Sequence, residues 1–144
     1  MMKTKLLYHE NSFTYECSAK VVAAEGDEVA LDATVFFPGG GGQMADHGTI
    51  SWNDYQIQAT VLAMNKRDDV VWHTLSCAPP PVGTEVVGTI DWDFRYKMMR
   101  THTALHILCG TIWKEYGVQV TGGHLRLRSE IVSEVPAILF RRRR

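Results

Sequence analysis

Apolar and polar residues alternate through most of the first ninety positions, with the period of half-buried strands. The run FTYECSAKVVAAEGDEVALDATVFF holds two such stretches around Glu25-Gly26-Asp27, which predicts a hairpin. GTISWNDYQIQATVLAM holds two more, with the turn near Asn53-Asp54. VVWHTL and TEVVGTIDW follow, separated by Pro79-Pro80-Pro81 and Gly83, residues that no strand ladder accommodates well. Short, closely spaced strands with turn signals between them predict a small antiparallel barrel.

The period changes at Asp91 to Asp93. From Phe94 to Tyr116 the apolar residues Phe94, Met98, Leu105, Leu108 and Ile112 keep helical spacing. An aspartate just upstream can cap the first turn, and Gly117 stands where the helix should end. The expected organisation is therefore a barrel over residues 1–93 and a second lobe over residues 94–144. His102, His106 and Cys109 form a stripe rotated about 100° from the apolar set, so the imidazoles border its buried face.

Composition narrows the class. A chain of 144 residues, 45% hydrophobic and 22% charged, is one ordinary domain or two small lobes of a globular protein. The opening MMKTKLLYHENS has no signal-like apolar run, and no later stretch is long enough to cross a membrane. Cys17, Cys77 and Cys109 lie far apart with no CxxC pair, which argues against a disulfide framework and makes a reducing cytoplasm the expectation. The net charge of -1 hides an asymmetry, net -8 before Phe94 and net +7 from there on. A basic second half can meet RNA phosphates by releasing their counterions, although four of its ten basic residues are the terminal RRRR.

Three features can carry chemistry. Gly39 to Gly42 lack every Cβ, so this backbone can take positive φ and turn its N–H groups toward an anion or a carbonyl. Gln43 adds a donor and an acceptor at the end of that loop. No Lys-Ser or Lys-Thr follows the glycines, which excludes a P-loop. Thr34 precedes them on the same strand and shares a face with Phe36, opposite Val35 and Phe37; on its own it reads as an ordinary β-favouring residue. Third, His102 and His106 are one helical turn apart and can occupy two corners of a metal site. Without a glutamate beside the first histidine this is not HExxH, and packed core histidines remain an alternative.

Taken together, LDATVFFPGGGGQMADHGTI, IDWDFRYKMMRTHTALHIL and VQVTGGHL resemble the editing domain of alanyl-tRNA synthetase and its free-standing AlaX relatives, over roughly residues 5 to 125. Threonyl-tRNA synthetases share the HxxxH lobe but are not expected to carry the glycine-rich segment. The resemblance implies an α+β fold, a glycine-rich antiparallel barrel followed by an α/β lobe that holds zinc. It implies hydrolysis of the ester between tRNA for alanine and a wrong amino acid, serine or glycine. Thr34 and Gln43 then become candidate catalytic residues near the amino-acid pocket, and Gly40, Gly41 and Gly42 candidate substrate-binding residues. His102 and His106 become zinc ligands. Arg95, Lys97 and Arg100 are placed to meet the tRNA backbone. No ATP-binding synthetase core fits in this length.

The family pattern supplies two further zinc ligands from a later Cys-x-x-x-His. Here no cysteine follows Cys109, and RLRSEIVSEVPAILFRRRR does not align with the family. A truncated or frameshifted reading frame is the expectation for that tail. Cys109 cannot complete the site, since it lies about 10 Å from His102 along the helix axis; His124 is geometrically possible. Two functions stay open: an editing hydrolase with an incomplete zinc lobe, and a tRNA-binding remnant without turnover. A bare gene fragment would instead show an uncovered apolar face and poor solubility.

Overall fold

The fold comes from a computed structural model that describes residues 2–117, 119–120 and 140–141. It is α+β, as expected, and divides into two units, Met1–Pro38 with Ala45–Arg95 and Gly39–Met44 with Tyr96–Arg144. The elements in chain order are β1 (Lys5–Leu6), α1 (Leu7–Glu10), β2 (Glu16–Glu25), β3 (Glu28–Leu31) and β4 (Ala33–Thr34). Then come β5 (Gly48–Trp52), β6 (Ile57–Arg67), β7 (Val70–Leu75), β8 (Glu85–Ile90), α2 (Trp92–Tyr116), β9 (Gln119–Val120) and β10 (Phe140–Arg141).

Six strands close a barrel in the order β2-β3-β7-β6-β5-β8, every neighbouring pair antiparallel. Closure leaves no open sheet edge in the barrel. Both expected hairpins form. Glu25 opposes Glu28 across a turn in which Gly26 has φ 59°, and Trp52 opposes Ile57 across Asn53, Asp54 and Tyr55, all at positive φ. Asn and Asp tolerate that region, so the sequence suits the turn at two of the three positions.

Alternation along β7 explains why VVWHTL is buried almost throughout. Val71, His73 and Leu75 share one face, and Val70 and Trp72 join a second apolar cluster on the other. Phe36, fully buried, lies in the main core with Leu31 and Ile50. Its ring packs where two glycines make room. A Cβ on Gly48 would meet the Thr89 carbonyl oxygen at 2.2 Å and the Phe36 ring at 2.8 Å, and one on Gly88 would meet that ring at 3.1 Å. Burying such a ring stabilises the fold by about 1.5–3 kcal/mol.

Asp32 separates β3 from β4 and ties both to β2: its carboxylate accepts from the Lys20 N–H at 2.7 Å, and its N–H donates to the Lys20 carbonyl at 3.0 Å. Strand β4 then pairs in parallel with β1. Thr34, Val35 and Phe36 are all fully buried, so the expected distinction between two faces does not show as exposure.

Helix α2 starts and stops where its sequence directs. The Phe94 N–H donates to Asp91 Oδ1 at 3.0 Å as an N-cap, and Gly117 at φ 62° donates its N–H to the Trp113 carbonyl at 2.9 Å. Its apolar set is unevenly covered: Met98 is buried, Phe94, Leu105 and Ile112 are half-buried, and Leu108 is 43% exposed. No helix among the described residues is long and apolar enough to cross a membrane.

Candidate functional site

The glycine run folds into a defined turn. All four residues take positive φ: Gly39 89°, Gly40 129°, Gly41 59° and Gly42 84°. Gly40 and Gln43 exchange two backbone hydrogen bonds, each of 3.0 Å, so Gly41 and Gly42 are the two central residues of a tight hairpin turn. Positive φ at both centres is the signature of a type I′ turn, which almost demands glycine. A Cβ on Gly40 or Gly41 would meet nothing within 4 Å, so conformation, not crowding, selects glycine there. Among the described residues the Gly41 and Gly42 N–H groups have no backbone partner, which leaves them available to an incoming oxygen.

Gln43 belongs to the same unit as the histidine-bearing part of α2. Its Oε1 lies 3.1 Å from His102 Nδ1, and His102 Nε2 lies 3.0 Å from His106 Nε2. An amide oxygen only accepts, so His102 carries its proton on Nδ1 and turns the Nε2 lone pair toward His106. The two rings stack with centroids 4.8 Å apart; His102 is half-buried and His106 exposed. The sequence did not foresee this glutamine–histidine pair in detail, since the partners are 59 positions apart.

Do these residues fit the zinc that the resemblance implies? Two imidazole nitrogens bound to one tetrahedral zinc at about 2.0–2.1 Å stand roughly 3.3 Å apart. The observed 3.0 Å separation is close to that, and a His ligand that donates its other N–H to an oxygen is the usual outer arrangement. The pair fits as two ligands. Among the described residues no cluster of three or more His, Cys, Asp or Glu side chains could hold a metal. His124, the local candidate for a third ligand, lies outside the described residues, as does the VTGGHL segment beyond Val120.

Thr34 belongs to the barrel unit, and its hydroxyl is directed at His73, a residue the sequence reading had not singled out. Oγ1 is 3.0 Å from His73 Nε2 and accepts from the Phe36 N–H at 3.1 Å. His73 Nδ1 faces the Val29 carbonyl oxygen at 3.4 Å. Both side chains are fully buried, and burial pulls the His73 pKa down to about 4. The signal was present in VVWHTL: period two puts His73 between Val71 and Leu75 on the inward face, where a histidine needs a hydroxyl or carbonyl partner.

The basic residues separate. Lys97 and Arg100 are exposed, with the Arg100 guanidinium 5.7 Å from the Tyr96 ring centroid. Arg95, expected at a tRNA surface, is turned inward and only 2% exposed. Its Nε donates to Asp46 Oδ1 at 2.8 Å, and its terminal nitrogens donate to Asp46 Oδ2, to the Val35 carbonyl at 2.7 Å and to the Ser12 carbonyl at 3.1 Å. Asp46 also accepts from the Phe37 N–H at 2.7 Å. With four of its five N–H donors engaged, its charge paired with Asp46 and only 2% of its surface exposed, Arg95 is an internal residue of the barrel unit, which corrects the expected surface role. Helical position alone misled here, because the partner Asp46 is remote in sequence.

The model of the family described as tRNA synthetases class II (A) matches residues 3–94. The alanyl-tRNA editing protein AlaX-M of Saccharolobus solfataricus is 37% identical over 123 residues, which cover 85% of this chain and 52% of that protein. AlaX-M of Pyrococcus horikoshii is 40% identical over 107 residues, covering 73% and 47% respectively. An alanine–tRNA ligase of Hyperthermus butylicus is 41% identical over 117 residues, covering 81% of this chain and 12% of the ligase. The chain thus spans about half the length of the AlaX-M relatives.

Proposed function

Because the chain belongs to the class II (A) tRNA synthetase family, as an AlaX-like protein of the alanyl-tRNA synthetase editing type, we propose that it hydrolyses mischarged tRNA for alanine. The substrates are the seryl and glycyl esters. Water adds to the ester carbonyl carbon, the bond to the ribose oxygen breaks, and that oxygen leaves with a proton.

One observation carries the reading: the Gln43–His102 hydrogen bond joins the glycine turn to the imidazole pair. Within that single unit, the N–H groups of Gly41 and Gly42, which have no backbone partner among the described residues, can receive the carbonyl oxygen as it gains charge. Gln43 fixes the His102 ring, and His102 and His106 supply two nitrogen donors to zinc. When bound, zinc lowers the pKa of a bound water or holds the substrate amine. Lys97 and Arg100 are exposed and can meet the tRNA backbone, positioning it without reading its sequence.

Selectivity against alanine follows from one hydroxyl. An apolar synthetic pocket rejects serine by only about a hundredfold, so a second site must recognise the hydroxyl itself. Thr34, in the barrel unit, has one hydroxyl oxygen lone pair without a partner among the described residues; a hydroxyl could donate to it and a methyl could not.

The test is release of labelled serine from tRNA for alanine, with and without added zinc. Release above the buffer rate that His102→Ala abolishes supports the reading; release at the buffer rate with every mischarged tRNA rejects it. A second reading, tRNA binding without turnover, is favoured by one observation: among the described residues no group of three or more His, Cys, Asp or Glu side chains could hold a metal. Retained tRNA affinity with no release would select it.

A further inference from the structure

His73 is a fully buried titratable side chain that the editing reading does not use. Its surroundings define where its proton sits. A carbonyl oxygen cannot donate, so the contact with Val29 at 3.4 Å is attractive only if Nδ1 carries the hydrogen. Nε2 is then a bare acceptor, and the hydrogen of the 3.0 Å contact comes from Thr34. The opposite tautomer would set two lone pairs against each other at Val29. It would also leave the Thr34 hydrogen without a described acceptor.

The result is a chain of hydrogen bonds running in one direction: Phe36 N–H to Thr34 Oγ1, Thr34 O–H to His73 Nε2, His73 Nδ1–H to the Val29 carbonyl. Donors aligned in one sense polarise and strengthen one another, more so in a dry interior. The Phe36 ring meets the His73 ring edge-on at 5.5 Å, which limits rotation of the imidazole. Burial disfavours the charged ring and pulls its pKa down to about 4, in keeping with a neutral imidazole.

From this geometry we infer that His73 is a positioning residue that holds the Thr34 hydroxyl proton inward and makes Thr34 an acceptor only. Any group that reaches Thr34 must donate a hydrogen bond, as a hydroxyl can and a methyl cannot. The functional half of this inference rests on the editing reading; the structural half does not.

The structural half is read from the imidazole ¹⁵N resonances of the whole chain at neutral pH. His73 should be the neutral Nδ1–H tautomer, unchanged in Thr34→Ser. In Thr34→Val its Nε2 resonance should move toward that of a free acceptor nitrogen. An Nε2–H tautomer, or an Nε2 resonance indifferent to Thr34→Val, overturns the inference. The functional half is a double-mutant cycle on seryl-tRNA hydrolysis. His73→Leu and Thr34→Val should each slow kcat/KM by about tenfold, the scale of one net hydrogen bond, and the double variant by no more than either. His73→Gln, whose amide oxygen can accept in place of Nε2, should restore most of the rate. Multiplying losses, or a His73→Gln variant that folds and is as slow as His73→Leu, overturns the inference. If the wild-type chain releases no amino acid, the editing reading has failed, and the resonances alone decide whether His73 orients Thr34.

Discussion

Acidification should weaken the barrel through one residue, His73. In the unfolded chain its imidazole takes up a proton near pH 6.5, the ordinary value. Folded, burial among Val29, Thr34 and Phe36 holds it neutral down to about pH 4. Between those two values the unfolded chain binds more protons than the folded one, so stability falls as pH falls. The contribution is fully present above about pH 6.5 and fully lost below about pH 4. At about 1.4 kcal/mol per pKa unit the whole loss is roughly 3 kcal/mol, a large share of the 5–15 kcal/mol typical of a domain. Urea unfolding followed by tryptophan fluorescence, at steps from about pH 7 to pH 4.5, measures it. His73→Gln serves as the reference, because carboxylates titrate alike in both proteins and cancel in the difference. The wild-type advantage should shrink toward acid by up to about 1.4 kcal/mol per pH unit. A constant difference across the window, or a His73 resonance titrating near pH 6.5, would refute the reasoning.

Other consequences are equally open to measurement. Asp46→Asn leaves the Arg95 guanidinium buried without its counter-charge and should cost about 3–5 kcal/mol in urea unfolding, whereas a change below 1 kcal/mol would show the pair to be dispensable. At Gly41, with φ 59° and open space around it, alanine should cost about 1 kcal/mol and asparagine less. At Gly40, with φ 129°, alanine should cost more than at Gly41, because that conformation is nearly closed to side chains; equal costs would contradict the turn. Gln43→Leu should release His102 from its Nδ1–H tautomer, visible in its ¹⁵N resonances, and lower zinc affinity about 10–100-fold by chelator competition. An unchanged tautomer would remove Gln43 from the site.

Periodicity and turn chemistry made most of the fold legible. The barrel strands, the Gly26 hairpin, the Asn53-Asp54 turn and both ends of α2 follow from alternation, positive-φ residues and caps that act within a few positions. The glycine run was legible for the same reason: only glycine supplies four successive positive φ values, and the side chain that follows it in sequence follows it in space. What escaped was long-range polar pairing. Nothing within twenty residues of Arg95 announces Asp46, and nothing near Thr34 announces His73, since each partner arrives from another strand or loop once the barrel closes. Exposure was misjudged for a related reason. Charge suggested an outward Arg95, but a guanidinium that satisfies three segments at once is more stable inside when its counter-charge is there.

The central claim is that this chain distinguishes a wrong amino acid from the right one on the same tRNA. Its most direct test is a side-by-side measurement of hydrolysis of seryl- and alanyl-esters of tRNA for alanine, under single-turnover conditions with zinc present. The account predicts that serine is released well above the buffer rate while alanine stays at it, and that Gln43→Leu removes the difference. Equal release of the two amino acids, or release of neither, would contradict it.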